Sequence, residues 1–90
     1  MVYPNPFDPD TAVRGTLKVV NMPEGSTLNI YTVSGERVKS QQAGNGYNGW
    51  TEWDGVSDWG KVAATGVYYY VVRLGDKTLA EGSLIIRRGN

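Results

Sequence analysis

Glu52, Asp54 and Asp58 are the nearest this chain comes to a catalytic or metal-binding group. A carboxylate pair cleaves a glycosidic bond when one acid protonates the leaving oxygen and the other attacks or activates water. That chemistry needs a cleft, and a chain of 90 residues has little volume for one. A calcium loop of the EF-hand kind needs oxygens at alternate positions and a carboxylate at the twelfth. Counted from Asp54, the third position is Val56 and the twelfth is Thr65, so the pattern fails. The expected work of Asp54 is smaller: to accept backbone N–H groups and shape the turn at Gly55. The chain has no histidine and no cysteine, which excludes thiol nucleophiles, Ser-His-Asp and Cys-His catalysis. Zinc and copper lose their usual ligands as well. Gly44-Asn45-Gly46 is followed by no helix, so it is not a phosphate loop. No catalytic residue, metal ligand or cofactor is expected, and the chain does not read as an enzyme.

Aromatic residues are the other source of chemistry. Flat rings stack on sugars, which makes Trp50, Trp53 and Trp59 candidates for a carbohydrate platform. Trp50 and Trp53 are three residues apart, so on a strand they face opposite ways. Trp59 lies in a loop before Gly60. A sugar site would therefore rest on Trp50 and Trp59, with Tyr69 as a third member, all on one exposed face. Tyr68, Tyr69 and Tyr70 are consecutive. A strand sends the outer two to one side and Tyr69 to the other.

The elements that must position these residues are short strands. Gly is 12, well above the average of about 7% of residues, and it comes with 6 Tyr and 3 Trp. That is the composition of a many-turn β protein. Pro4, Pro6 and Pro9 make residues 1–11 an extended arm pinned by Tyr3 and Phe7. Strand patterns follow at Ala12–Met22, Thr27–Val33, Arg37–Gln42, Trp50–Trp53, Gly66–Leu74 and Thr78–Arg88. Leu17 and Val19 share one parity, and Leu28 and Ile30 lie opposite Asn29 and Tyr31. Gly35 is expected at positive φ in a tight hairpin. Asn45-Gly46 and Asn48-Gly49 mark a loop, and 54–65 is the longest irregular stretch. The polar run Arg37–Gln42 reads as an edge strand blunted by charge. About seven strands and no helical period predict an all-β sandwich or barrel.

Lys plus Arg is 9 and Asp plus Glu is 9, so the net charge is zero. That argues against a nucleic-acid partner, and Arg87-Arg88 is far short of a basic footprint. No apolar run approaches the roughly 20 residues that span a bilayer. No leader opens the chain, so any export signal is expected outside this segment.

Five pieces then fall in a specific order. Tyr3-Pro4-Asn5-Pro6-Phe7 opens the chain, and Leu28 to Val38 carries Tyr31 and Gly35. Trp53-Asp54-Gly55, Gly60, and Thr65-Gly66-Val67-Tyr68-Tyr69-Tyr70 follow. The succession, from Val2 to Arg88, resembles the immunoglobulin-like domain of flagellar hook-capping proteins. It equally resembles the C-terminal sorting domains of type IX secretion cargo. Met22-Pro23 stands where a sorting domain commonly has Leu-Pro, and Thr51 where it has an aliphatic residue. The resemblance implies a single Ig-like antiparallel β-sandwich over residues 1–90, at the C-terminus of a longer secreted or surface bacterial protein. It implies a non-catalytic role, with recognition by the outer-membrane secretion machinery or by surface and assembly proteins. It marks Trp53, Tyr68 and Tyr70 as inward-facing, with one tyrosine hydroxyl bonded to loop backbone as in Ig folds. Tyr69 is then left on an exposed patch. A surface or edge would do the work, by strand addition at Arg37–Gln42 or at Ser83–Arg88. The candidate partner-binding residues are Trp50, Trp59, Tyr69, Leu84, Ile85, Ile86, Arg87 and Arg88. The core expected is Leu17, Val19, Leu28, Ile30, Val38, Trp53, Val62, Tyr68, Tyr70, Val72, Leu84 and Ile86.

Overall fold

Turn residues cut the chain into strands, and alternation along each strand decides what is buried. The computed structural model describes residues 2–3, 7–8, 16–20, 22–43 and 49–87, with only the backbone of Tyr3. Pro4, Asn5, Pro6, Arg88, Gly89-Asn90 and the Asn45-Gly46 turn lie outside the described residues. The strands in order are β1 (Val2–Tyr3), β2 (Leu17–Val19), β3 (Thr27–Thr32), β4 (Arg37–Gln42), β5 (Thr51–Trp53), β6 (Gly66–Leu74) and β7 (Lys77–Ile86). No helix occurs among the described residues. One sheet is β1-β2-β5 and the other is β4-β3-β6-β7, with every strand pair antiparallel. The spacing of strands and turns predicts an all-β sandwich or barrel, and the result is the sandwich, of the Ig-like kind that the resemblance implies.

The inner faces meet as the parity predicts. Leu17 and Val19 look across at Leu28 and Ile30, whose sheet neighbours are Val72 and Tyr70. Tyr68 and Leu84 form the next cross-strand pair. Burying each large apolar side chain contributes roughly 1.5–3 kcal/mol. Every expected core residue is buried except two. Tyr70 is half-buried and packs against the core, and Val62 is exposed. Val62 pairs with Val56 in an isolated bridge, while the Ala63 N–H donates to Gly55 O at 2.8 Å. That small ladder turns Ala63 inward and Val62 out. Phe7, Met22 and Ala63 complete the core.

Local chemistry sets the connections. Gly35 takes φ 95° in the β3–β4 hairpin, a conformation that L side chains rarely adopt. Gly75-Asp76 alone turns β6 into β7, because β7 begins at Lys77. Val38 is an extra residue in β4, since Ile30 pairs with Lys39 and Tyr31 with Arg37. The bulge lets Val38 turn into the core. Met22 is buried, and its N–H donates to Gly49 O at 2.8 Å. A Cβ on Gly49 would lie 1.9 Å from Met22 O, so only glycine fits there.

Two devices tie the sheets together. On one side the Gln41 amide donates to Thr51 Oγ1 and to Glu52 O, both at 2.6 Å. This joins β4 to β5 and gives the polar Thr51 its role. On the other side the N-terminal arm bridges the sheets. Its β1 pairs with β2, and Phe7 forms a parallel bridge with Ile86 of β7.

Candidate functional site

The three carboxylates have structural partners. Asp54 Oδ1 accepts the Val56 N–H at 3.0 Å, the turn-shaping role expected of it. Gly55 and Gly60 turn the same loop, each at φ 84°. The Asp58 N–H donates to Val38 O at 2.9 Å, and its Oδ2 accepts the Ser40 N–H at 3.0 Å. Lys39 Nζ lies 3.3 Å from Asp58 Oδ1. Asp58 thus mimics a neighbouring strand along the outer edge of β4. Arg37–Gln42 is a polar edge strand, as its sequence suggests, and Asp58 takes its outward groups at Val38 and Ser40. Glu52 pairs with Lys18 at 3.7 Å on the outer face of the three-stranded sheet. Among the described residues, no group of three or more potential metal ligands gathers.

The aromatics divide between core and surface. Trp53 and Tyr68 meet edge to face, with centroids 6.4 Å apart and planes at 69°. Trp53 Nε1 donates to Val56 O at 2.8 Å, and the Tyr68 hydroxyl donates to Ala64 O at 2.8 Å. Both bonds anchor the 54–65 loop over the core. Trp50 just precedes β5 and lies under Lys18, whose Nζ is 5.1 Å from its ring centre. That places it on the outer face of the three-stranded sheet. Tyr69 lies on the outer face of the other sheet, between inward Tyr68 and Tyr70. Trp59 is exposed in the loop, beside a shallow hollow lined by Glu36, Val38 and Lys61. The three rings face three directions, so the single sugar platform expected from Trp50, Trp59 and Tyr69 does not form.

The last strand is split by its own alternation. Leu84 and Ile86 are fully buried, whereas Ile85 and Arg87 are exposed. In the folded domain only the second pair can meet a partner, and Arg88 lies outside the described residues. The edge of β7 is also engaged at this end. The Phe7 N–H donates to Ile85 O at 2.7 Å, and the Arg87 N–H donates to Phe7 O at 2.8 Å. Sequence reasoning found Phe7 as an anchor but not this pairing, because nothing local links residues so far apart. The Asp58 plug was missed for the same reason.

With Val38–Ser40 of one edge and Ile85–Arg87 of the other engaged, the outer face of β4-β3-β6-β7 stands out. Val67 pairs with Ile85 there, Tyr69 lies beside Tyr31, and all but Tyr31 are exposed. No helix among the described residues is long and apolar enough to cross a membrane.

Comparison with known families covers nearly the whole chain. The type IX secretion signal domain family (CHU_C) matches residues 2–86. No curated protein and no solved structure matches. A signal domain of this kind sorts rather than catalyses, and it marks a secreted or cell-surface protein. The order of motifs, the antiparallel sandwich and this match agree: the chain belongs to the type IX secretion signal domain family.

Proposed function

We propose that residues 1–90 are one C-terminal sorting domain, carried by a longer bacterial protein and recognised by the outer-membrane type IX machinery. The observation that carries this reading is the family match over residues 2–86, which occupies almost the entire fold. The structure is in keeping with it. The side chains best suited to chemistry are engaged in holding loops and edges, and what remains exposed is a surface. Such a domain acts by being bound, and its cargo supplies any activity. A reporter fused ahead of residues 1–90 tests the reading in a bacterium with and without a working type IX translocon. Appearance outside the cell only where the translocon works is expected. A reporter left in the periplasm of both strains contradicts it and favours an accessory or assembly role of the hook-cap kind.

A further inference from the structure

We propose that the outer face of β4-β3-β6-β7 docks on a protein surface that is apolar at its centre and acidic at its rim. The inference names the contact surface for the sorting role and rests on that reading. The register lays the face out in rows. Arg37, Tyr31, Tyr69 and Ser83 run side by side across the four strands. In the next row Val67 sits opposite Ile85, and Val33 lines the same hollow as Val67. Val33 is 66% exposed, Tyr69 47%, Ile85 45% and Val67 44%. Contiguity separates such a patch from the scattered exposed side chains of any surface. Away from it polar residues flank Val71, with Asn29 and Glu81 on either side and Thr27 and Arg73 in the row beyond.

Charge points to the occupant. Arg37 stands beside Tyr31, and Arg87 follows Ile85 on the same side of the chain. Neither guanidinium has a carboxylate partner among the described residues, in a chain whose net charge is zero. Arginine presents a planar fork that matches a carboxylate. The opposite outer face differs, because Lys18 and Glu52 there offset each other. Two arginines are also few for an anionic bilayer, which is usually held by clusters of about 4–8 cations. Strand addition is opposed by Asp58 at Val38–Ser40 and by Phe7 at Ile85–Arg87. Four strands at about 4.8 Å spacing give the apolar rows an area on the order of 300 Å². That is below the roughly 800 Å² per partner of a lasting complex. The contact is transient, as suits a signal that must be handed on.

Site-directed crosslinking of the full fusion in type IX-competent cells tests this. A benzophenone side chain at position 69 is expected to give a discrete protein adduct, and one at position 18 none. Arg37→Glu with Arg87→Glu lowers the position-69 yield roughly tenfold, since rim charges act mainly on association. Lys61→Glu with Lys77→Glu changes net charge equally and leaves the yield unaltered. All four residues are exposed, so a melting temperature within a few degrees of wild type confirms folding. Translocon-dependent export without a position-69 adduct overturns the docking face and leaves the sorting reading standing. An adduct to lipid or polysaccharide alone also overturns it, as does a yield that ignores the arginine reversals. Absence of export in the unaltered fusion defeats the sorting reading and this inference with it.

Discussion

The two edges of the four-stranded sheet are each covered over a short stretch, and by different means. At β4 the cover is one polar residue on a loop. Asp58 contributes an N–H, a carboxylate and an ion pair, and its side chain stays partly in water. At β7 the cover is Phe7, which comes from the other end of the chain. Its side chain is fully buried, and its backbone pairs with Ile85 and Arg87. Exposed hydrogen bonds and ion pairs contribute about 1 kcal/mol. A buried phenylalanine contributes about 3–5 kcal/mol when judged by its truncation. Edge protection and core building are therefore separable at β4 and inseparable at β7. The domain guards the end of its last strand with a group that also builds its core.

Truncation of Phe7 breaks that comparison hardest. Phe7→Ala should cost about 3–5 kcal/mol in denaturant unfolding, a large share of a small domain's stability. Trp53→Ala should cost a similar amount while leaving the Phe7 cover of β7 intact. Hydrogen exchange separates the two. Exchange of the Arg87 N–H should accelerate beyond the global change in the Phe7 variant and only with global unfolding in the Trp53 variant. Equal behaviour at Arg87 would show that Phe7 does not guard the edge.

Asp58→Ala is the milder counterpart. It should cost about 1 kcal/mol and leave the core cooperative. Its signature is local: the Ser40 N–H loses its acceptor and exchanges faster, and the opened β4 edge promotes self-association at high concentration. A Ser40 amide that stays protected, in a variant that stays monomeric, would count against the plug. Smallest of all is Tyr68→Phe, which removes the bond to Ala64 O but keeps the ring against Trp53. A loss of about 0.5–1.5 kcal/mol is expected, with a slight rise in Ser40 exchange as the loop carrying Asp58 loosens. No change at Ser40 would mean that the loop is held from elsewhere.

What the sequence reveals here is parity, and what it hides is long-range pairing. β6 was legible to its last residue, because Gly66, the tyrosine run and Gly75 bound it on both sides. The inward set Leu17, Val19, Leu28 and Ile30 follows from strict alternation. Val62 escaped because its orientation depends on a bridge to Val56 inside a loop with no period of its own. Val38 was expected in the core and is buried there, although no pattern announces the bulge that turns it inward. Gly82 gave no signal in the middle of a strand. A Cβ there would lie 2.7 Å from the Tyr70 hydroxyl, so the ring lies where a side chain would be. Trp50, Trp59 and Tyr69 are each exposed, and which way each faces is a property of the assembled sandwich. The candidate surface was thus legible residue by residue and illegible as a surface.

The most direct test of the account is translocon-dependent export of the reporter fusion carrying Tyr69→Lys with Ile85→Lys, beside one carrying Val62→Lys. All three positions are exposed and apolar or aromatic, but only the first two lie on the outer face of the four-stranded sheet. The account predicts that the double variant folds and is retained, while Val62→Lys is exported like wild type. Export of the folded double variant at the wild-type rate would contradict it.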